Sequence, residues 1–144
     1  MNSKRASQVL AVAAPHLKAG ELVELATFAK VGSVSVKRKV TTTAAVAALT
    51  GGLVIVSVSA RGMYIAMTGR RLLFFDGHTA SGRPGQKVLM SIPRELIQVA
   101  ETKNGLVTLK AELAVDGQEK GLRLTFPRPC REDGGQLISA LRNA

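Results

Sequence analysis

The sequence predicts a mainly β domain with one helix at each end, and three observations support this fold class. Between Arg61 and Phe126, short apolar segments alternate with turns that contain Gly, Asn or Asp, a pattern typical of antiparallel barrels and sandwiches. Helical apolar spacing precedes this region and also follows it. The 144 residues are 46% apolar, which suffices for one domain with its own core, although there is no Trp.

The N-terminal region predicts a helix followed by the first two strands. Ser3 is a candidate cap for a helix over residues 4–14, and Pro15 ends that helix. Strands are predicted at residues 22–28 and 33–40, the second with valines on one face and Ser and Lys on the other.

The region after Arg61 predicts a succession of hairpins. Gly69-Arg70, Asn104-Gly105 and Asp116-Gly117 are the turn signals, because Gly adopts a positive φ without steric cost. Turn residues also dominate residues 77–85, which we expect to form a mobile loop. The predicted strands are residues 62–68, 71–76, 87–91, 96–102, 106–115 and 122–126.

The C-terminal residues predict a helix that closes one end of the sheet. Asp133 is a candidate cap, and Gln136 stands three residues later, as in a capping box. Leu137, Ile138 and Leu141 form one apolar stripe, which we expect to pack into the core.

Val40 to Ala60 is an uncharged run of 21 residues between Lys37-Arg38-Lys39 and Arg61, and three interpretations of it remain open. In the first interpretation, the run forms a helical turn and then a strand of a soluble domain, with Gly51-Gly52 as the break between them. Alternatively, it is a hairpin with that Gly pair at its tip, inserted shallowly into a bilayer. In the third interpretation it spans the membrane, since about 20 residues cross the hydrocarbon core. The candidate insertion residues are Leu49, Leu53, Val54 and Ile55.

A single span conflicts with the predicted fold, because it places the first strands and the Tyr64 hairpin on opposite sides of the membrane. The two other interpretations keep both flanks of the run on one side.

Positive charge is concentrated in one part of the chain, which has a net charge of +10. Residues 30–94 hold ten Lys or Arg and a single acid, Asp76, whereas seven basic and seven acidic residues balance from Glu95 onward. Such a zone attracts anionic lipid head groups or an acidic protein. The scarcity of aromatic residues argues against nucleic acid. The candidate lipid-binding cations are Lys37, Arg38, Lys39, Arg61, Arg70, Arg71 and Arg83.

Three segments carry a resemblance to a known family. Residues 63–76 resemble the T-x-R-R-L hairpin of bacterial pleckstrin-homology-like and GRAM-like domains. Residues 17–21 are similar to the Leu-x-x-Gly-Glu opening of these domains, and residues 91–97 to their Ile-Pro-x-x-x-Ile segment. The resemblance implies a bent antiparallel barrel of about seven strands, closed by a C-terminal helix.

The resemblance also predicts how the chain is divided. Residues 1–16 are an additional N-terminal helix, residues 17–144 are the pleckstrin-homology-like domain, and residues 40–60 are an apolar insertion within it. Some relatives bind inositol lipids through cations around the first loop between strands. Lys30 and Lys37-Arg38-Lys39 lie in that stretch, but they do not match a spaced lipid-binding signature.

Catalysis has little support in the sequence. His16 and His78 are not at triad or metal-ligand spacing with Cys130 or an acid, so we expect no catalytic residue, metal or cofactor. The single Cys suits a reducing compartment, which predicts a cytoplasmic location.

The predicted function is therefore a non-catalytic module recruited to the cytoplasmic face of a membrane by basic residues and the apolar segment. The alternative is a soluble protein-interaction module that binds a partner peptide or self-associates through a sheet edge. The sequence does not predict the oligomeric state.

Overall fold

A computed structural model describes residues 1–35, 60–77 and 79–143. These residues form a mainly β structure with a helix at each end, which confirms the predicted fold class. The elements are α1 (Ser3–Ala13), β1 (Val23–Ser35), β2 (Arg61–Thr68), β3 (Arg71–Asp76), β4 (Val88–Pro93), β5 (Ile97–Asn104), β6 (Leu109–Val115), β7 (Lys120–Phe126) and α2 (Arg131–Arg142).

The seven strands form one antiparallel sheet in the order β4-β3-β2-β1-β7-β6-β5. The long strand β1 joins two halves of this sheet: Val23 to Val31 pair with β2, and Lys30 to Ser35 pair with β7. The outer strands are β4 and β5, and no pairing between them is found in the described parts of the chain. The predicted barrel is therefore a sheet that hydrogen bonds do not close.

The main core lies between the inner face of the sheet and α2. Leu137, Ile138 and Leu141 of α2 are buried there, as the sequence predicted, together with Phe74 and Phe126 from the sheet. Burial of a Leu or Ile side chain contributes about 1.5–3 kcal/mol, so this stripe is sufficient to fix the helix on the sheet.

A second, smaller core lies on the outer face of the sheet, under α1. Val9 and Ala13 of the helix pack with Tyr64, Leu73 and Phe75. Strands β2 and β3 are therefore covered on both faces, which explains why their apolar residues are consecutive and do not alternate.

Both helix caps differ from the prediction. Asn2 caps α1 in place of Ser3, because its Oδ1 accepts a hydrogen bond from the Arg5 backbone N–H at 2.8 Å. Helix α2 begins before Asp133, after a short 3-10 turn, and Asp133 does not cap it. The Asp133 carboxylate instead accepts from the α-amino group of Met1 at 2.5 Å.

The largest differences between predicted and observed strand boundaries are at two places, and the other strand ends differ by at most two residues. Residues 22–28 and 33–35 belong, from Val23 onward, to one continuous strand, because β1 pairs with β2 over its first part and with β7 over its last part. The connection after Asn104 is a loop over residues 105–108 and not a two-residue turn.

Gly117 forms the predicted turn and has the expected positive φ, +81°. At Gly69, the reason given for the turn, a positive φ, is wrong. Gly69 does not have a positive φ. A side chain stabilises this turn, since Thr68 Oγ1 accepts hydrogen bonds from the backbone N–H groups of Arg70 and Arg71, both at 3.1 Å.

Candidate functional site

The predicted cations lie at opposite ends of β2. Arg61 begins this eight-residue strand, whereas Arg70 and Arg71 follow its last residue. At about 3.3 Å per residue the ends are separated by about 25 Å. The structure therefore does not bring Arg61 together with Arg70 and Arg71. The remaining predictions at Lys37, Arg38, Lys39, Leu49, Leu53, Val54, Ile55 and His78 fall outside the described residues.

The first of these ends, which we call the β1–β2 end, comprises Ser35, Ala60 and Arg61. Ser35 closes β1, and Ala60 precedes the first residue of β2. Val31 pairs directly with Arg61 across the two strands. A Cβ atom at Gly32 would lie 3.1 Å from Ala60 Cα. Ser35 and Ala60, the last and first described residues on either side of residues 36–59, therefore lie on the same side of the molecule.

Three cations stand around the β1–β2 end. Arg61 donates to Asp76 Oδ1 at 2.6 Å, and both side chains are partly exposed. Lys120 Nζ donates to the Ser35 hydroxyl at 3.0 Å, so its charge stays uncompensated by this contact. Lys30 is exposed on β1. Within the described ranges, no ion pair joins Lys30 or Lys120 to an acid.

The loop that carries Arg83 is tied to the sheet. The Tyr64 hydroxyl donates to the Gly82 carbonyl at 2.7 Å. The Tyr64 ring in turn packs edge-on against Phe28, with ring centroids 5.1 Å apart. Arg83 itself is exposed, and its backbone, not its guanidinium, makes the described hydrogen bonds.

The other end of β2 holds a buried ion pair between Arg71 and Glu21. Arg71 Nε donates to Glu21 Oε2 at 3.0 Å, and Nη2 donates to Oε1 at 2.9 Å. Thr68 Oγ1 and the Lys18 backbone N–H also donate to this carboxylate, at 2.7 Å and 3.0 Å. The Glu21 side chain is only 1% exposed.

These donors determine the charge state of Glu21. The hydrogen bonds from Arg71 are the largest cause that lowers its pKa, and those from Lys18 and Thr68 act in the same direction against the effect of burial. The pKa falls from 4.5 to about 2. Arg71, the first residue of β3, also donates to the His16 carbonyl at 2.7 Å, so it connects β3 to the segment between α1 and β1.

A groove of about 730 Å³ lies beside this ion pair. Its lining contains both acids, Glu24 and Glu95, and cations, Lys18, Arg70 and Arg94, and Arg94 donates to Glu24 Oε1 at 3.2 Å. The described residues contain no cluster of three His, Cys, Asp or Glu that could hold a metal. The mixed charge suits a zwitterionic or peptide surface better than a polyanion.

One exposed apolar site was missed by the sequence reasoning. Leu106 and Val107 were placed inside a strand, but they occupy the loop between β5 and β6, where both are exposed. The signal that could have found them is the absence of a polar residue between Gly105 and Thr108. A hairpin loop exposed to water ordinarily contains polar residues.

No helix in the described ranges is long and apolar enough to cross a membrane. This finding leaves open the interpretation of residues 40–60, nearly all of which lie outside those ranges.

Comparison with known proteins supports the fold. No protein-family model matches the chain, and no curated protein matches it either. Among solved structures, the chain is similar to a pleckstrin homology domain from Shewanella amazonensis SB2B, with 20% sequence identity and a TM-score of 0.50. The match covers 95% of this chain and 97% of that one. The GRAM-like resemblance stays a prediction, whereas the chain has a pleckstrin-homology-like fold.

Proposed function

We propose that this protein is a non-catalytic binding module that is recruited to an anionic membrane surface on the cytoplasmic side. The contact is made at the β1–β2 end by its basic residues and by the apolar run of residues 40–60. One observation carries the proposal: Ser35 and Ala60 lie on the same side of the molecule. Both basic flanks of the run, Lys37-Arg38-Lys39 and Arg61, are therefore joined to the same end of one sheet.

This arrangement favours a surface contact over a single span. A span that entered after Ser35 and left before Ala60 would have to return across the bilayer to reach the neighbouring strand. About 20 residues are needed for each crossing, and only 24 residues separate Ser35 from Ala60. A shallow contact of the apolar run, with cations at the phosphate level, requires no return crossing.

The expected binding is weak and sensitive to salt. Each Lys or Arg near an anionic leaflet contributes about 1 kcal/mol. Lys37, Arg38 and Lys39, together with Lys30 and Lys120 at the β1–β2 end, therefore supply a few kcal/mol. Arg61 contributes less, because Asp76 already compensates its charge.

Protein interaction is the second candidate, and the open edges of the sheet favour it. Strands β4 and β5 each have only one neighbour in the described sheet, so each has an edge that an extended peptide could join. Recovery of one stoichiometric partner, with no lipid binding, would favour this function.

Flotation with vesicles tests the membrane proposal. The full chain is mixed with phosphatidylcholine vesicles, with and without phosphatidylserine, at low and high salt. We expect flotation only with the anionic vesicles and a loss of flotation at high salt. Lys37→Gln/Arg38→Gln/Lys39→Gln should float at least tenfold less, since three charges are removed.

The matched control is Lys4→Gln/Lys18→Gln/Arg70→Gln, which removes the same number of charges from exposed positions. Lys18 and Arg70 line the groove at the other end of β2. It should float like the unmodified chain. Equal losses in the two triple variants would mean that net charge alone drives binding, and salt-independent flotation would refute the electrostatic mechanism.

A further inference from the structure

The loop between β5 and β6 presents two adjacent apolar side chains to solvent. Leu106 is 96% exposed and Val107 is 59% exposed. We call residues 105–108 the β5–β6 tip. Leu106 therefore buries almost no apolar area, so core packing does not account for an apolar residue at this position.

The β5–β6 tip is held in one conformation by hydrogen bonds. Arg131, at the start of α2, donates to the Leu106 carbonyl at 3.1 Å and to Asn104 Oδ1 through Nε at 3.0 Å. The Gly105 backbone N–H donates to the Thr108 carbonyl at 2.9 Å. A contact made by Leu106 and Val107 therefore has a small ordering cost.

Cations surround the base of the tip. Lys103 and Lys110 are exposed and directly opposite each other in the β5–β6 register. Like charges at opposite positions destabilise a strand pair, so the sheet gains nothing from them. Arg128 is exposed in the turn before α2. Arg131 binds only neutral groups in its described contacts, and its charge is retained.

Nearby acids do not cancel this charge. Glu112 is paired with Arg123 at 2.8 Å. Asp133 binds the Met1 ammonium group. Glu101 lies on the exposed face, two residues further from the tip than Lys103, and Glu132 follows Arg131. Four cations therefore surround the tip, against Glu101 and Glu132 as the acids without an ion pair in the described contacts.

We propose that the β5–β6 tip inserts into the interface of an anionic lipid bilayer, with Leu106 and Val107 among the head groups and the surrounding cations at the phosphates. This inference rests on the proposed membrane function, and it adds a second contact with the bilayer to the one at the β1–β2 end. The tip and the β1–β2 end lie at opposite ends of β7, since Lys120 is beside Ser35 and Phe126 pairs with Leu109. They are therefore about 20 Å apart along that strand.

The shape of the tip favours a bilayer over a protein partner. A loop with two adjacent exposed apolar side chains needs a matching apolar pocket to bind a protein, but it enters the head-group layer without one. The cations around the tip complement an anionic bilayer, because they can contact lipid phosphates at any lateral position in the leaflet.

A single tryptophan tests insertion directly, because the chain contains none. Leu106→Trp keeps the tip apolar and reports on its environment. With phosphatidylserine-containing vesicles we expect a blue shift in emission and quenching by brominated lipid. Leu22→Trp is the matched control, since Leu22 is 75% exposed and precedes β1 beside β2, in the half of the sheet that does not contain β5 and β6. Its emission should not change.

Affinity measurements distinguish this proposal from the previous one. Leu106→Ser/Val107→Ser should weaken flotation about tenfold, since interfacial burial of a Leu corresponds to at least one decade of affinity. Lys103→Gln/Lys110→Gln should weaken it by a similar factor at low salt, whereas Lys18→Gln/Arg70→Gln should not.

The outcomes separate the two membrane contacts. If the triple variant at residues 37–39 loses binding while the tip variants float normally and the emission of the Leu106→Trp variant is unshifted, the tip proposal is wrong and the β1–β2 contact stands. If only the tip variants lose binding, the tip is supported and the β1–β2 contact is wrong. No flotation of the unmodified chain refutes both proposals.

Discussion

Replacement of Glu21 by Gln should lower the free energy of unfolding measurably. It should also remove most of the decrease in that free energy that acid pH causes. The Glu21 carboxylate accepts four hydrogen bonds, two of them from Arg71, and these lower its pKa from 4.5 to about 2. A difference of about 2.5 pKa units at about 1.36 kcal/mol per unit corresponds to about 3 kcal/mol of stabilisation.

The sign follows from the direction of the shift. The folded protein binds the Glu21 proton less readily than the unfolded chain does, so stability is fully present above about pH 4.5. It is lost as the pH falls towards 2. Of the roughly 3 kcal/mol of stabilisation that the lowered Glu21 pKa contributes, about 2 kcal/mol should be lost when the pH has fallen to about 3. Glu21→Gln leaves the Arg71 charge without its partner and should cost about 3 kcal/mol at neutral pH.

Urea denaturation at about pH 7 and about pH 3 measures this effect. The free-energy difference between the unmodified chain and Glu21→Gln should shrink from about 3 to about 1 kcal/mol. Glu112→Gln is the control, because its pair with Arg123 is partly exposed and contributes less than about 1 kcal/mol. A Glu21→Gln difference that is the same at both pH values would refute the reasoning.

Two further predictions concern packing. Gly134→Ala should destabilise the protein by about 1–3 kcal/mol, because a Cβ atom there would lie 2.4 Å from Phe126 Cγ. The neighbouring Gly135→Ala meets no atom within 4 Å and should stabilise α2 by up to about 1 kcal/mol; equal thermal shifts for the two variants would contradict this. Thr27→Val should raise stability by about 1 kcal/mol in urea, since the buried Thr27 hydroxyl has no hydrogen-bond partner in the described structure; a loss would indicate an unrecognised partner.

The sequence predicted the strands best where one local signal was sufficient. Residues 71–76 were predicted with the observed bounds, because a turn precedes them and a turn-rich loop follows. It failed in β1, where strands were predicted at residues 22–28 and 33–40 and residues 29–32 were assigned to neither. Only the register with β2 and β7 shows that one strand serves both halves of the sheet.

The candidate site was predicted less well, because charge patterns do not show which partners side chains find in the fold. Arg70 and Arg71 are adjacent in sequence, yet Arg70 is exposed and Arg71 is engaged by Glu21, fifty residues earlier. In the sequence, Arg131 is recognisable only as a positive charge next to Cys130. Its hydrogen bonds to the β5–β6 tip depend on how α2 meets the sheet, which local sequence does not determine.

The helix on the outer face of the sheet has a consequence for aggregation. Residues 63–67 and 72–75 are uncharged, rich in β-forming residues and free of Pro, which are properties of segments that assemble into intermolecular sheets. α1 covers the outer side of Tyr64, Leu73 and Phe75. Any condition that detaches α1 while the sheet persists would expose this surface, so colloidal stability should fall before the sheet unfolds.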